Sequence, residues 1–434
     1  MNSSYHIDYR QIPNISVKQC IIDATSTYRT KDVSMQLFDT LRGHKATLAI
    51  PTDRPLTLYV CGVTPYDTTH IGHAHTFLIF DIFIRYVRSQ GGSVLYCQNV
   101  TDVDDPLFER ANRDNIAWDA LAKREVDQFI KDCRAMNFIT PDFFPKVSEE
   151  ITGMIPIIEG LIRNGKAYVS NGNVFFDVSS EPTYGEMARL GGYEQMLKTA
   201  NERGNNPNDP NKHNPLDFVL WQVSRPGEPT WPSPWGPGRP GWHIECTAMS
   251  TRYLGEQLDV HGGGRDLIFP HHPSEIVQTE GYTNKRPFSQ FWVHGGLTWL
   301  DGNKMSKSLG NLVFVRDAVI QQSPDSIRWY LASFPYREDF NYIRADAAAA
   351  EHDVARLVAA LGATSAVAAP ALDVSAERAA FFAALDDDLQ MHVAIQHLKV
   401  MIDQILAAQS THAITTAQAD LRACAQVIGF IAAE

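Results

Sequence analysis

An apolar run, a helical stretch and a second apolar run, all within about 45 residues, limit what this chain can become more than any other feature. "PLTLYVCGV" (55–63) is apolar and rich in β-formers, which predicts a buried strand. "HAHTFLIFDIFIRYVRSQ", from residue 73, carries its apolar residues at helical spacing and ends before Gly91 and Gly92, a natural stop. "SVLYCQNV" (93–100) reads as the next strand. A strand, a helix and a strand in this order form a βαβ unit, so the chain is expected to be α/β with a doubly wound parallel sheet.

Helical spacing recurs at 118–137 and 149–165, and "GNVFFDVS" (172–179) reads as a strand of an inserted subdomain spanning about 145–225. "NERGNNPNDPNKHNPLD" and "RPGEPTWPSPWGPGRPG" follow, and their Pro and Gly residues argue against regular structure. A connection that long in a compact enzyme is more often functional than idle. A strand-rich block is expected from about 256 to 300, and helix after helix from 315 on. The expected divisions are an extension at 1–33, a catalytic domain at 34–300, a loop and stem-contact region at 301–345, and a short helical domain at 346–434. With 434 residues, 44% hydrophobic and 20% charged, the chain fits a soluble globular protein. It has no apolar run of about 18 residues, and residues 1–20 lack the apolar stretch of a secretory signal, so a cytoplasmic location without a membrane span is expected. The net charge of −12 gives no nucleic-acid footprint, although a local basic groove can sit on an acidic protein. The six cysteines contain no CxxC pair, which argues against a disulfide framework.

Two short segments carry chemistry. "THIGHA" (69–74) opens the first helix, and His70 and His73 lie three apart on its first turn, where the positive helix end favours phosphate. "KMSKS" (304–308) places Lys304 and Lys307 on a small polar loop flanked by Gly302 and Gly310, suited to close on a triphosphate. Either segment alone is better explained without chemistry, "THIGHA" by surface or core histidines and "KMSKS" by a solvated basic turn. In this order, about 230 residues apart, they resemble the HIGH and KMSKS motifs of class I aminoacyl-tRNA synthetases. The resemblance implies a Rossmann-like catalytic domain with an insertion, followed by a helical domain. It also implies activation of an amino acid by ATP, bound with Mg2+ as substrate. His70 and His73 would hold phosphate in the transition state, and Lys304 and Lys307 would clamp the β- and γ-phosphates.

The choice of amino acid turns on a possible metal site. "IFPHHPSE" places His271 and Glu275 four apart, on one face if a helix starts there. Cys61 ends the first strand, and Cys246 lies in "GWHIEC". Taken singly, each is explained as a buried cysteine, a helix-end histidine or a solvated carboxylate. Together, two thiolates, an imidazole and a carboxylate suit one Zn2+. "YVCG", "GRPGWHIEC", "GGGRDLIFPHH" and "KMSKSLGN" are similar to the cysteine-activating branch of the class, in which the zinc takes the thiol of L-cysteine as a further ligand. By that resemblance Asp266 pairs with the ammonium of cysteine and Trp242 walls the thiol pocket. Thr64, Thr76, Asn99, Thr101 and Gly264 contact the adenylate. His272 is expected beside the metal rather than on it, and Gly262 and Gly263 are expected to let the backbone approach the adenylate.

The branch has two acceptors, the 3′ end of tRNA-Cys and the amino group of a glucosaminyl-inositol. "TPYD", "DPLFERA" and "ERGNNP" (which departs from ERGGDP at two positions) resemble the glucosaminyl-inositol ligases, and only about 126 residues follow KMSKS. Glu275 as a fourth ligand and the Leu of "KMSKSLGN" resemble the tRNA enzymes, and cysteine–tRNA ligase is the reading favoured. A monomer is expected. The alternative of another class is a non-catalytic, synthetase-like binding protein, disfavoured because both motifs are intact. A zinc hydrolase is disfavoured by the lack of HExxH.

Overall fold

The computed structural model describes residues 33–67, 69–300, 302–304, 312–366 and 369–434, with residues 303 and 304 as backbone alone. The expected extension at 1–33, apart from Val33, and the loop from Met305 through Lys307 lie outside the described residues.

The centre is a four-stranded, all-parallel sheet. Strand β1 (Leu56–Val63) leads into helix α1 (Ile71–Ser89) and on to β2 (Val94–Val100), the βαβ unit expected from the sequence. Far along the chain, helix α2 (Trp242–Leu254) precedes β3 (Leu258–Gly264), and helix α3 (His271–Thr283) precedes β4 (Ser289–Gly295). The strand order is β4-β3-β1-β2. The winding therefore reverses between β1 and β3. In such sheets a crevice opens at the carboxyl ends of the two strands flanking the reversal, and ligands bind there.

Side-chain alternation decides which residues reach which face. Leu58 and Val60 of β1 join the core that holds α1, together with Phe291 and Val293 of β4. Tyr59 and Cys61 point the other way, into a second core with Cys246 and Met249 of α2, Val277 of α3 and Trp292 of β4. The last turn of β1 thus aims Cys61 at the two helices that carry the other candidate ligands.

The insertion carries an antiparallel sheet ordered Ala167–Ser170, Asn173–Phe176, Phe218–Val223, Gly238–Pro240. The last strand corrects the expectation that the Pro/Gly-rich stretch has no regular structure. It is a three-residue edge strand, where proline is tolerated, and its partner lies some 15 residues upstream. A hairpin, Ser34–Asp39 with His44–Ala49, and a strand Phe340–Tyr342 beside Thr298–Leu300 also went unread in the sequence.

Helices Arg344–Leu361, Ser375–Asp386, Met391–Ala408 and Thr415–Ile428 follow. They do not enclose a core of their own. Leu357, Phe381, Leu398 and Leu421 pack in one cluster with Phe80 and Phe83 of α1. The buried Arg328 guanidinium ties this junction together, pairing with Asp81 of α1 and donating to the carbonyls of Met136 and Ile428. No described helix is long and apolar enough to cross a membrane.

Candidate active site and metal centre

A cavity of about 250 Å³ opens at the carboxyl ends of β1 and β3, where the winding reverses. Cys61 through Thr64, Asn99 and Thr101 line one side, His73 and Thr76 of α1 another, and Gly264, Asp266, Trp242, Cys246 and His271 the rest. Residues spread over more than 200 positions of sequence therefore meet at one place. The strand ends are also held together: Asn99 accepts from the Gly62 N–H at 2.9 Å and donates to the Thr101 hydroxyl at 3.2 Å.

The two HIGH histidines differ. His73 faces the cavity. The ring of His70 turns back as the cap of α1, its Nδ1 accepting from the His73 N–H at 3.3 Å, and stacks on His73 with centroids 3.6 Å apart. The Ile71 N–H is taken by the Val313 carbonyl at 2.8 Å. The first turn is thus partly satisfied, so an anion there would meet the helix dipole and the His73 ring more than unpaired amides. Lys304 lies on a short strand beside Trp299, and Lys307 lies outside the described residues.

Four donor atoms meet at the bottom of the cavity, three of them on its lining and Glu275 behind them: Cys61 Sγ, Cys246 Sγ, His271 Nε2 and a Glu275 oxygen, all within 4.8 Å of one another and all buried. α3 does begin at His271, which sets His271 and Glu275 one turn apart with Nε2 and Oε1 3.2 Å from each other. Cys61 Sγ is 3.8 Å from both Cys246 Sγ and Glu275 Oε1. A tetrahedron with zinc–sulfur bonds of about 2.3 Å has a sulfur–sulfur edge of about 3.8 Å. Burial pushes the Cys61 thiol and the Glu275 carboxyl well up and His271 well down. These three groups are thus driven toward their neutral forms, and a divalent cation is what makes the Cys61 thiolate and the Glu275 carboxylate favourable there. The donor set fits zinc.

The surroundings orient these ligands. His271 Nδ1 shares a 2.9 Å hydrogen bond with His243 Nδ1, which leaves Nε2 for the centre, and Trp242 stacks on the His271 ring at 4.3 Å. Like His243, the two histidines that complete the shell were not foreseen as neighbours. His261 Nε2 sits 3.4 Å from Glu275 Oε2, and His294 links to His272 at 2.8 Å while its other nitrogen meets the Thr40 hydroxyl at 2.8 Å. His272 Nε2 then approaches Cys61 Sγ at 3.4 Å. Cys61, His261, His272 and Glu275 form a second foursome, but it has one sulfur against two and its histidines sit behind Cys61, away from the cavity lining.

Two of the three glycines have a packing reason of their own. A Cβ at Gly262 would fall 2.1 Å from the Phe80 ring, and one at Gly263 2.7 Å from Leu267, so these two serve packing against α1 and the following turn. Gly264 alone of the three lines the cavity. Tyr66, Phe77 and Leu267 also line it without having been singled out in the sequence.

The model of the tRNA synthetases class I (C) catalytic domain matches residues 48–352. The cysteine–tRNA ligase of Escherichia coli O17:K52:H18 (strain UMN026 / ExPEC) is 40% identical over 403 residues, covering 92% of this chain and 86% of its own. The chain belongs to the class I cysteinyl-tRNA synthetase family. A second member, the cysteine–tRNA ligase of Shewanella sp. (strain MR-4), is 41% identical over 380 residues, 87% of this chain and 80% of its own. The synthetase fold extends to more distant structures. Mycobacterium tuberculosis methionyl-tRNA synthetase in complex with methionyl-adenylate superposes with a TM-score of 0.59 at 15% identity, covering 86% of this chain and 89% of the other. The ternary complex of Agrobacterium radiobacter K84 agnB2 LeuRS with tRNA gives 0.62 at 11%, covering 87% and 84%.

Glu275→Ser is expected to release zinc to a chromogenic chelator faster than the parent, yet to keep enough to activate cysteine, because both thiolates, of Cys61 and Cys246, remain with His271. An unaltered release rate would remove Glu275 from the ligand set.

Proposed function

We propose that the protein is a cysteine–tRNA ligase, which joins L-cysteine to ATP as cysteinyl-AMP and then passes cysteine to the 3′ end of tRNA-Cys. The observation that carries this reading is the meeting of Cys61, Cys246 and His271, backed by Glu275, at the bottom of a cavity lined by Thr64, Thr76, Asn99, Thr101 and Gly264. Those four side chains would hold Zn2+, which would supply a Lewis acid with a preference for a thiol over the hydroxyl of serine or the methyl of alanine.

The protein's own groups do the rest. Asp266 at the cavity wall takes the ammonium, and Trp242 closes the side of the thiol pocket against His271. The carboxylate of cysteine then attacks the α-phosphorus of ATP. A carboxyl oxygen–phosphorus bond forms, the α–β bridge breaks, and pyrophosphate leaves with Mg2+. His73 faces the phosphates, His70 holds His73 in place, and Lys304 and Lys307 neutralise the departing charge. In the second step the terminal tRNA hydroxyl attacks the carbonyl, loses its proton, and AMP departs. Selection by a metal–sulfur bond explains how one step can reject serine and alanine, which a pocket shaped only by size does poorly.

The rival acceptor, glucosaminyl-inositol, is favoured by "TPYD" and "ERGNNP". The tRNA reading is favoured by Glu275, fully buried and facing both Cys61 and His271 as a fourth ligand, and by the cysteine–tRNA ligases that align with nearly the whole chain. Pre-formed cysteinyl-adenylate on the enzyme, offered tRNA-Cys and glucosaminyl-inositol in parallel, is expected to charge the tRNA alone. Transfer only to the sugar amine would overturn the assignment of the acceptor while leaving cysteine activation intact.

A further inference from the structure

The insertion reaches the cavity wall through a charged contact. Its helix Tyr193–Glu202 is seated by Met196 and Leu197 on the same core that holds Cys246 and Phe269, so the end of the helix is fixed by packing. The next residue is Arg203, and its Nη1 lies 3.6 Å from Asp266 Oδ2. Asp266 lines the cavity, and the two side chains are 34% and 43% exposed, so a solute can reach the pair. The other nearby cation, Arg265, is engaged elsewhere, 2.9 Å from Asp339 and bonded to the Arg337 carbonyl.

We infer that Arg203 is a specificity-determining residue for the amino-acid substrate: it neutralises Asp266 in the free enzyme and must be displaced by an incoming ammonium group. The inference rests on the reading of Asp266 as the ammonium site. Two cations drawn to one carboxylate repel each other, so Arg203 and the substrate ammonium compete for it. The metal centre tests for a thiol but is blind to the α-amino group. The exchange at Asp266 supplies that second test, because a thiol without an ammonium cannot take the place of Arg203.

Inhibition constants separate the possibilities. Cysteamine carries the thiol and the ammonium, whereas 3-mercaptopropionate carries the thiol and the carboxylate. In ATP–pyrophosphate exchange, Arg203→Ala is expected to lower the KM for cysteine and the inhibition constant of cysteamine together, by about two- to fivefold, the range for a half-exposed ion pair. The constant for 3-mercaptopropionate is expected to stay the same or rise, since an unmasked Asp266 repels it. Arg203→Lys should keep the parent values. Equal tightening of both inhibitors, or a KM for cysteine that is unchanged or raised, would overturn the inference. Asp266→Asn provides the second arm. If it leaves cysteine and cysteamine affinity untouched, the ammonium site itself is misassigned, and the inference falls with it; a failure confined to the Arg203 variants leaves that site standing.

Discussion

Cys246→Ser is expected to abolish stoichiometric zinc and to lower cysteine activation by at least about a hundredfold, beyond what loss of an outer-shell partner costs. The substitution replaces one sulfur with one oxygen at a position that is 1% exposed, so the packing of α2 changes little. The chemistry changes a great deal. A serine hydroxyl is a poor ligand at neutral pH, and Cys61, His271 and Glu275 would be left to hold a divalent ion from a fully buried position. Without the ion, burial returns the Cys61 thiol and the Glu275 carboxyl to their neutral forms, since desolvation already drives them that way. Metal analysis of the purified variant and pyrophosphate exchange measured side by side check the expectation. Full exchange activity in a zinc-free protein would separate metal from selection and break the account.

The second large effect is expected at His73. His73→Ala should lower kcat for pyrophosphate exchange by about 10²–10³, the scale on which one donor to developing charge acts, and should move the KM for cysteine much less. The geometry sets His73 apart from its neighbour. Its ring lines the cavity, whereas His70 caps the helix and buttresses His73 by stacking. His70→Asn, which keeps a capping oxygen, should therefore cost less than His73→Ala. An altered KM with an intact kcat in the His73 variant would mean that this ring binds substrate and does nothing further.

How far the sequence leads depends on whether a signal is local. The βαβ unit is legible because its apolar residues repeat within one element, and a parallel sheet follows once a helix joins two such strands, whereas the strand order does not. The edge strand Gly238–Pro240 was missed because proline and glycine composition hides a strand whose pairing comes from an element about 15 residues away. The hairpin at residues 34–49 was missed because its strands are short and largely exposed on one face. The metal ligands form a mixed case. His271 and Glu275 share a helix face and announce each other. Cys61 and Cys246 are 185 positions apart, and no spacing rule connects them; only the family resemblance did. His261 and His294 sit inside strand runs, "LDVHGGG" and "SQFWVHG", where a histidine looks like an interruption. Their role as supports for Glu275 and His272 appears only once β3 and β4 lie side by side beneath α3. The contact of Arg203 with Asp266 is likewise invisible in sequence, since it joins a helix end in the insertion to the turn after β3.

The central claim is that cysteine is chosen through its sulfur. X-ray absorption at the zinc edge, recorded on the enzyme before and after adding L-cysteine, tests it most directly. The account predicts that sulfur neighbours rise from the two of Cys61 and Cys246 to three with cysteine, and stay at two with serine. A spectrum that does not change on adding saturating cysteine would contradict it.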